Sequence, residues 1–429
     1  SKLDYLQWLG VNAVWLSPCY PSPLKELGYD VSDYVNIEPR FGSLAAFDRL
    51  VNEAHQRDLH VILDWVGNHT SAQHRWFRDS RSSRSNPGRN WYLWRDPKPD
   101  GSAPNNWVSV FGGSVWQWDA ATQQYYLHTF LDSQPDLNWR EPGVRAAMFD
   151  SLKFWLDRGV DGFRLDAAPL FFKDPEFRDN PVNPDYKPGE LPDGQLLPVH
   201  TRNQPGLHEL FADLRAFVDR WPGGRVLLGE FYTPIEELVT FYGTRAPELH
   251  LPLNLTLTYS SWEPGVIGRI IAQYQGRVAG RGWPTTTLDT HDQERIVVRA
   301  GLTQARVAAL LLLTQRGTPT IYYGDEVGMR GVDIPAMQAV DPQGRRTGRN
   351  RDPTRTPMQW SSDIYAGFST VEPWLPVGAD RGNANVASQS RDAGSLLTLY
   401  RRLLELREAG PVLREGLHEP LAAGPALVA

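Results

Sequence analysis

Short apolar runs, rich in branched side chains, recur along the chain between polar loops and helical patterns. The runs are residues 11–18, 60–69, 160–167, 225–231, 249–257, 285–292 and 318–326. Nearly continuous apolar runs are typical of parallel strands, because helices cover both faces of a parallel sheet. The alternation of such strands with helices therefore predicts an α/β fold.

The helical segments carry recognisable ends. Residues 43–58 open on Ser43, whose hydroxyl suits an N-cap, and residues 142–159 end on Gly159. The apolar run 306–315 is far shorter than the roughly 20 residues that cross a membrane, so we expect a buried helix there.

These elements predict a TIM-type (β/α)8 barrel made of residues 1–69 and 136–410. Residues 70–135 are rich in Trp, Asn and Ser and lack a strong helical pattern, which indicates an irregular subdomain inserted after the third strand. Residues 170–206 are rich in Pro and Asp and are expected to form an ordered loop over one end of the barrel.

Both ends of the chain fall short of the expected architecture. Residues 1–10 have the pattern of a helix end, so we expect the first barrel strand upstream of them, and strand 11–18 would then have an unpaired edge. Residues 411–429 are too short to fold alone and are expected to begin a C-terminal β domain, most of which is missing.

Composition narrows the classes of function. The 44 basic and 50 acidic residues give a net charge of -6, which offers no reason to expect nucleic acid or an anionic membrane as a partner. Cys19 is the one cysteine, so no disulfide forms within the chain. The 16 tryptophans are a high number, and flat aromatic rings suit the apolar faces of sugars.

The stretch "GVDGFRLDAAP", residues 159–169, raises the first chemical question. Side chains two positions apart on a strand share a face, so Arg164 and Asp166 point the same way. Charges on a buried strand are costly unless they are compensated. A structural ion pair explains these two residues as well as an active site does, so the rest of the chain must decide.

Polar residues follow several predicted strands at the ends where a barrel carries its active site. They are Asp64, Asn68, His69, Arg164, Asp166, Glu230, His291 and Asp292. Neither histidine belongs to an H-x-x-x-H or H-x-H pair, and the carboxylates lack metal-ligand spacing, which disfavours metal-dependent hydrolysis. No G-x-S-x-G elbow, P-loop or dinucleotide fingerprint follows a strand, so serine hydrolases, nucleotide-binding proteins and NAD-dependent enzymes are excluded.

Paired carboxylates suit glycoside hydrolysis, in which one attacks the anomeric carbon and the other donates a proton to the leaving oxygen. Arg164 would keep Asp166 ionised, as a nucleophile requires. Glu230 follows the apolar residues "VLLG", and desolvation there would raise its pKa, as a general acid requires. On this interpretation Arg164 and Asp166 form an activated nucleophile.

Several motifs resemble, in the same order, the signature blocks of the α-amylase family of glycoside hydrolases (family thirteen), particularly its α-glucosidase and oligo-1,6-glucosidase branch. The four main blocks are "DWVGNHT", "GFRLDAAP", "GEFY" and "THDQER". The segment "QPDLNW" resembles a fifth block of the oligo-1,6-glucosidase branch, and "GYDVSDY" and "RDPTRTPMQW" are further matches. The resemblance runs over nearly the whole chain.

The resemblance implies roles for individual residues. Asp166 corresponds to the nucleophile that forms a covalent β-glucosyl intermediate, Glu230 to the general acid/base, and Asp292 to the carboxylate that stabilises the oxocarbenium-like transition state. The residues expected around the bound glucose are Tyr29, Asp30, His69, Phe111, Phe130, Gln134, Arg164, His291 and Arg351. Asp30 and Arg351 match a pair that closes the pocket, which implies exo action. Two displacements would retain the α configuration, with the two carboxyl groups roughly 5–5.5 Å apart.

The sequence also departs from the family pattern. Thr290 stands where the fourth block usually has Asn. Ala167 follows the expected nucleophile where 1,6-selective members typically have Val, and the smaller side chain favours α-1,4 cleavage by about 1–3 kcal/mol. The family's "DGxGDLxG" loop, which holds a structural Ca²⁺ in many members, has no counterpart here, so we expect neither a metal nor a cofactor.

The sequence thus predicts an exo-acting, retaining α-glucosidase that releases glucose from the non-reducing end of short α-glucosides, with α-1,4 bonds favoured and some α-1,6 cleavage. A transglucosylase or isomerase of the same family, such as a sucrose isomerase or trehalose synthase, is the alternative. A non-catalytic relative similar to transporter-subunit ectodomains would lack the carboxylate set and carry a membrane helix, and neither fits. The expected partner is a small oligosaccharide, and a cytoplasmic location is expected because imported oligosaccharides would supply the substrate.

Overall fold

Each of the seven apolar runs contains a β-strand in the structure. The structure is a computed structural model, and it describes residues 2–416, 421–423 and 426–428. The strands are β1 Ala13–Leu16, β2 His60–Val66, β3 Trp94–Arg95, β4 Trp116–Asp119, β5 Gln124–Leu127, β6 Gly162–Asp166, β7 Val226–Phe231, β8 Leu251–Asn254, β9 Thr285–Thr287, β10 Thr318–Thr320, β11 Leu421–Ala423 and β12 Ala426–Val428. Most of the strands in the seven runs end before the predicted carboxyl end, where the chain continues into loops or short helices.

Most of the longer helices lie between the strands, as the sequence predicts. The helices are α1 Leu3–Leu9, α2 Leu44–His55, α3 Arg75–Ser82, α4 Pro142–Leu156, α5 Leu207–Val218, α6 Ile235–Leu238, α7 Thr256–Tyr259, α8 Pro264–Val278, α9 Ile296–Ala300, α10 Leu302–Thr314, α11 Pro342–Thr347, α12 Val386–Gln389, α13 Leu396–Ala409 and α14 Pro411–Glu415. Ser43 caps α2 as predicted, since its hydroxyl accepts a hydrogen bond from the backbone N–H of Ala46. The chain turns after α4 at Gly159, whose φ is +90°.

The described residues divide into two units. The first unit comprises Ala13–Glu230 and Arg245–Leu249, and the second unit comprises the remaining described residues. In the first unit, β1, β2, β6 and β7 form a parallel sheet in that order, and nearly every side chain of β2, β6 and β7 is buried. This is the pattern that continuous apolar runs predict.

The register of this sheet places polar side chains beside one another. Asp64 of β2 lies opposite Arg164 of β6, and Val66 lies opposite Asp166. Residues that pair across a ladder point to the same face of the sheet. The charged residues of two distant segments of the sequence are thereby brought to one face near the carboxyl ends of the strands.

Residues 70–135 are more regular than the sequence indicates. They contain helix α3 and an antiparallel sheet in the order β3–β5–β4, so the expectation that no strong helix occurs here is wrong for Arg75–Ser82. The helix escapes a pattern search because Trp76 and Phe77 are its only apolar residues. Phe77 is buried and stacks on Trp94 at 5.7 Å, so tertiary packing fixes this helix.

The segment 170–206 is the ordered loop that its composition predicts. It contains a short 3-10 turn, Pro192–Gln195, but neither an α-helix nor a strand among its described residues. The side chain of Asn106 donates to the carbonyl of Asn180, and the indole N–H of Trp107 donates to the carbonyl of Arg178, each at 2.8 Å. These bonds tie the loop to the segment that precedes β4.

In the second unit, β9 and β10 pair in parallel, and the backbone N–H of Asn254 on β8 donates to the hydroxyl of Thr285 on β9. The helix predicted over 306–315 forms as part of α10, which ends at Thr314 and packs on α13 in an apolar core. No helix among the described residues is both long and apolar enough to cross a membrane. Within 411–429, α14 forms and β11 pairs with β12, while the rest of the expected C-terminal domain start lies outside the described residues.

Gly162 sets how closely β6 and β7 approach, because a Cβ atom there would overlap the backbone oxygen of Val226. We expect Gly162→Ala to lower the free energy of unfolding by about 1–3 kcal/mol, since β7 must move away. The matched control is Gly276→Ala on α8, where a Cβ would meet nothing within 4 Å and alanine should stabilise the helix by about 0.5–1 kcal/mol. Urea denaturation of both variants measures the difference, and equal effects would contradict the close-approach argument.

Candidate active site

Arg164 lies at the centre of a buried cluster of charges in the first unit. Its Nη1 lies 2.8 Å from Oδ1 of Asp64 and 2.7 Å from Oδ1 of Asp166. Asp64 comes from β2, while Arg164 and Asp166 share a face of β6, as their spacing predicts. Arg164 and Asp64 are each 1% exposed, so the charges interact with one another largely without screening by water.

Glu230, near the end of β7, contacts the same guanidinium. Its Oε1 lies 2.6 Å from Nη2 of Arg164, and its Oε2 accepts a hydrogen bond from the backbone N–H of Ala167 at 2.9 Å. The apolar residues "VLLG" predict that desolvation raises the pKa of Glu230. The structure buries this residue, at 8% exposure, but also places a cation and an N–H donor against its carboxylate, and both favour the ionised form. Asp166 and Glu230, the predicted catalytic pair, therefore share one positive charge.

Arg164 stays protonated despite its burial. Removal from water disfavours a charged guanidinium, yet the carboxylates of Asp64 and Glu230 outweigh that effect and raise the pKa of Arg164 well above its ordinary value. Burial raises the pKa of Asp64, and the charge of Arg164 opposes the rise. The cluster is thus built around a permanent internal cation.

Ala167 turns the chain directly after the strand that carries Asp166. Its backbone lies in the left-handed region, with φ 47° and ψ 38°, which is uncommon for a residue with a side chain. This turn brings the N–H of Ala167 to Glu230, and Ala167 is 8% exposed. A strained residue between two acidic side chains is a common mark of a functional site.

His69 follows β2 and is buried with two other predicted residues, Tyr29 and Gln134. Its Nε2 lies 3.0 Å from the carbonyl oxygen of Tyr29 and 2.9 Å from Nε2 of Gln134. The hydroxyl of Tyr29 donates to Oδ2 of Asp64 at 2.8 Å, so this group is continuous with the Arg164 cluster. Burial lowers the pKa of His69 to about 4, and the imidazole is therefore neutral at neutral pH.

Two aromatic residues complete this part of the site. The ring of Phe130 lies 5.2 Å from that of His69, and the ring of Phe111 lies 5.7 Å from that of Phe130. Edge-to-face contacts of this kind hold both rings in place. The structure thus brings together the predicted wall residues Phe111 and Phe130 with His69.

Asp30 is fully buried in the first unit and helps to form a turn. Its carboxylate accepts hydrogen bonds from the hydroxyl of Ser22 at 2.8 Å and from the backbone N–H groups of Lys25 and Glu26 at 3.0 and 3.1 Å. Burial raises the pKa of Asp30, and these hydrogen bonds oppose the rise. The pairing of Asp30 with Arg351 stays a prediction.

The second unit contains the remaining predicted residues in one ionic group. Oδ1 of Asp292 lies 3.2 Å from Nη1 of Arg351 and 2.9 Å from Nη2 of Arg355, and its Oδ2 lies 3.5 Å from Nε2 of His291. The side chain of Asp292 is 23% exposed, more than those of Asp64 or Arg164. Asp292, His291 and Arg351 therefore lie together, with one carboxylate between two guanidinium groups.

Several residues of these two groups carry no signal in the sequence. Asp341 holds Arg351 through both carboxylate oxygens, at 2.6 and 3.1 Å; burial raises its pKa, but the hydrogen bonds and charge of Arg351 outweigh burial and lower it. Arg355 was not singled out, although it lies one helical turn after Arg351 in "RDPTRTP". Asp64 was noted as a strand-end residue without a role. No local motif marks Asp341, because it meets Arg351 only through the fold.

These groups are not arranged as a metal centre. Within residues 2–416 and the two short strands that follow, no set of three or more His, Cys, Asp or Glu side chains is placed to hold a metal ion. The carboxylates converge on arginine side chains instead. The arrangement can keep one carboxylate ionised, hold a second at the end of the neighbouring strand, and present hydrogen-bonding groups around both.

Comparison with known proteins places this geometry in context. A model of the α-amylase catalytic domain matches residues 1–416. A probable α-glucosidase of Rhizobium meliloti (strain 1021) is 39% identical over 443 residues, which cover 97% of this chain and 78% of that protein. The oligo-1,6-glucosidase of Heyndrickxia coagulans is 36% identical over 466 residues, which cover 98% of this chain and 82% of that protein.

Solved structures give the same fold. The α-glucosyl transfer enzyme XgtA has a TM-score of 0.95 at 39% identity, over 99% of this chain and 82% of that one. The trehalulose synthase MutB from Pseudomonas mesoacidophila MX-45 has a TM-score of 0.89 at 33% identity, over 99% of this chain and 81% of that one. The parallel strands and helices described above are those of an α-amylase catalytic domain, which is consistent with a TIM-type barrel.

Burial of neutral His69 makes the stability of the protein depend on pH. Because the pKa of His69 lies near 4 in the folded protein and near 6.5 when unfolded, the unfolded state binds the extra proton between these values. Stability is therefore fully present above pH 6.5 and is lost as the pH falls towards 4. We expect His69 alone to lower the free energy of unfolding by about 2 kcal/mol between pH 7 and pH 5.

Urea denaturation of the wild type and of His69→Gln at both pH values measures this contribution. Glutamine does not titrate, so the variant should lose about 2 kcal/mol less than the wild type over the same interval. His74, whose pKa burial lowers to about 3, remains in both proteins and contributes equally to each. The same loss in both proteins would show that His69 is not held neutral by the fold.

Proposed function

The chain belongs to the α-amylase family of glycoside hydrolases, and from that premise we propose that it is an exo-acting, retaining α-glucosidase. Its substrates would be short α-glucosides, from which it releases glucose at the non-reducing end, with α-1,4 bonds favoured. The observation that carries the proposal is that Arg164 contacts the carboxylates of both Asp166 and Glu230 at the ends of paired parallel strands.

The proposed reaction has two displacements at the anomeric carbon. An oxygen of Asp166 forms a bond to this carbon while the glycosidic C–O bond breaks, and Glu230 gives its proton to the leaving oxygen. Water then attacks the same carbon and gives a proton to Glu230, and the bond to Asp166 breaks. The contact of Arg164 at 2.7 Å favours the ionised form of Asp166 that the first step needs. The same guanidinium also contacts Glu230 at 2.6 Å, so the assignment of the acid/base role to Glu230 rests on the family motif rather than on this ion pair.

The second carboxylate group would act on the sugar ring. We assign Asp292 to stabilise the oxocarbenium-like transition state, and Arg351 and Arg355 keep its carboxylate ionised and oriented. His291 would hold hydroxyl groups of the same glucose. This assignment follows the order of the family motifs in the sequence.

Exo action and glucose specificity rest on the pocket residues. Neutral His69, with Tyr29 and Gln134 beside it, offers hydrogen-bonding groups suited to uncharged hydroxyls. Phe111 and Phe130 offer apolar ring surface. The pair Asp30 and Arg351 would close the pocket behind one glucose unit, and no metal or cofactor is needed for any step.

A second candidate function is glucosyl transfer or sucrose isomerisation. It is favoured by the names of two proteins with similar structures: XgtA is an α-glucosyl transfer enzyme, and MutB is a trehalulose synthase. The same Asp166 and Glu230 would act, and a sugar hydroxyl would take the place of water in the second displacement. The related protein sequences named α-glucosidase and oligo-1,6-glucosidase support hydrolysis instead.

The domain organisation is part of the proposal. We divide the chain into a barrel made of 1–69 and 136–410 and an inserted subdomain made of 70–135. Helix α3 and the sheet β3–β5–β4 give that subdomain its own buried aromatic residues, which supports this division. We also propose a cytoplasmic location, where imported oligosaccharides would supply the substrate.

Asp166→Asn tests the catalytic assignment. We expect the wild type to release α-glucose from maltose, followed by NMR before mutarotation, and the variant to lose activity by on the order of 10⁴-fold or more, because the amide cannot form the glucosyl ester. Asp150→Asn, an exposed position on α4, is the matched control and should retain activity. Initial release of β-glucose would exclude two displacements, and isomerised disaccharide with little glucose would favour the second candidate.

Ala167→Val tests the linkage preference. The larger side chain should raise the ratio of kcat/KM for isomaltose to kcat/KM for maltose roughly tenfold, within the range that one or two methyl groups provide. Because a β-branched residue fits the left-handed region poorly, the variant should also unfold at lower urea concentration. Ala167→Gly, which relieves the backbone strain and adds no bulk, is the control, and an unchanged ratio in Ala167→Val would exclude this residue as the determinant.

A further inference from the structure

Asp64 belongs to the charge cluster but has no role in the reaction described so far. We propose that Asp64 is a positioning residue, which fixes Arg164 between Asp166 and Glu230 and, through its negative charge, sets the pH range in which the enzyme works. The inference rests on the proposed function, because it takes Asp166 as the nucleophile and Glu230 as the acid/base.

Asp64 and Asp166 both accept hydrogen bonds from the same nitrogen of Arg164. Nη1 lies 2.8 and 3.1 Å from the two oxygens of Asp64 and 2.7 Å from Oδ1 of Asp166. A guanidinium Nη carries two hydrogens, so Asp64 takes one and Asp166 takes the other. Nη2 is then directed to Glu230 at 2.6 Å. Without Asp64, both hydrogens of Nη1 would be available to Asp166.

Hydrogen bonds from three aromatic side chains hold Asp64 in place beside Arg164. Its Oδ2 accepts hydrogen bonds from the hydroxyl of Tyr29 at 2.8 Å and from the indole N–H of Trp15 at 3.3 Å. The hydroxyl of Tyr20 donates to its backbone carbonyl at 2.8 Å, and Asp64 is 1% exposed. The indole ring of Trp15 also lies 4.9 Å from the guanidinium carbon of Arg164. Asp64 is therefore a fixed point to which the guanidinium is attached.

A carboxylate held against the shared guanidinium opposes ionisation of the other two carboxyls, because like charges repel strongly where water is excluded. Its removal lets both Asp166 and Glu230 ionise at lower pH. In the proposed reaction, ionisation of Asp166 sets the acidic limb of the pH–activity profile, and ionisation of Glu230 sets the alkaline limb.

The other titratable groups that face these carboxylates in the first unit are Cys19, Tyr20, Tyr29 and Tyr34. Burial raises the pKa of Cys19 to about 12 and the pKa values of Tyr20 and Tyr34 well above their usual value. Cys19, Tyr20 and Tyr34 are therefore neutral across the working range, and Tyr29 donates its hydroxyl hydrogen to Oδ2 of Asp64. The charge that changes with Asp64→Asn is therefore the charge of Asp64 itself.

The test compares the pH dependence of kcat/KM on maltose for the wild type and Asp64→Asn, with folding checked by circular dichroism. Asparagine keeps the size of the side chain and removes its charge. We expect both limbs to move to lower pH by about one unit, together with a lower kcat. Lower activity with both limbs unmoved would overturn the proposal and leave Asp64 with a structural role.

Two variants control for geometry. Asp64→Glu keeps the charge and displaces it by one methylene, so kcat should fall while both limbs stay in place. Tyr20→Phe removes the hydrogen bond to the backbone of residue 64 and changes no charge, so its limbs should also stay in place. A shift of the limbs in Tyr20→Phe equal to that in Asp64→Asn would assign the effect to displacement rather than to charge, and would overturn the proposal.

A second measurement needs neither catalysis nor a stable Asp64→Asn protein. In wild-type enzyme labelled with ¹³C at aspartate carboxyls, the signal of Asp64 is identified by its loss in Asp64→Glu. It should be ionised across the whole working range, and a protonated Asp64 there would overturn the proposal. If the wild type hydrolyses no α-glucoside, the proposed function fails, whereas the signal of Asp64 still shows whether this residue carries the negative charge that the inference requires.

Discussion

The contact between the buried guanidinium of Arg164 and its carboxylates is the interaction on which the sheet and the site both depend. Asp64, Asp166 and Glu230 come from β2, β6 and β7, so one cation joins the carboxyl ends of neighbouring strands. A slip of β7 by one residue would turn Glu230 to the other face and leave a charge buried without compensation, which costs several kcal/mol. The strand register that holds the fold together is therefore also the register that aligns Asp166 and Glu230, the proposed catalytic pair.

Most of the fold follows from the sequence because its strands are buried on both faces, and long apolar runs have few alternatives. The strand ends were less predictable: residues 285–292 are rich in β-branched threonine, which favours a longer strand, yet β9 is only Thr285–Thr287. Helix α3 escaped prediction because Phe77 makes its contacts with β3, far away in sequence. Local patterns report burial, whereas these features depend on which distant segment provides the burial.

The candidate site likewise contains residues that the sequence identifies and contacts that only the fold reveals. Asp166 and Glu230 stand in recognisable motifs, but nothing in "VLLGEFY" indicates that Glu230 meets Arg164, because that contact depends on the pairing of β6 with β7. The sequence does not predict the left-handed turn at Ala167, because alanine has no preference for that conformation. A sequence identifies which residues carry charge, but the charge that each one experiences is set by neighbours that the fold supplies.

A second buried cation supports this view of the site. Nζ of Lys173 lies 2.9 Å from Oδ1 of Asn68 and 2.9 Å from Oδ2 of Asp136. Since the amide oxygen of Asn68 faces this ammonium, its NH₂ group is turned to Nδ1 of His69 and to Oδ1 of Asp136, each at 3.2 Å. Nε2 of His69 lies 3.0 Å from the carbonyl oxygen of Tyr29 and 2.9 Å from Nε2 of Gln134. Lys173 thus orients the amide beside His69, as Arg164 orients the carboxylates, and internal cations hold the polar groups of both clusters in place.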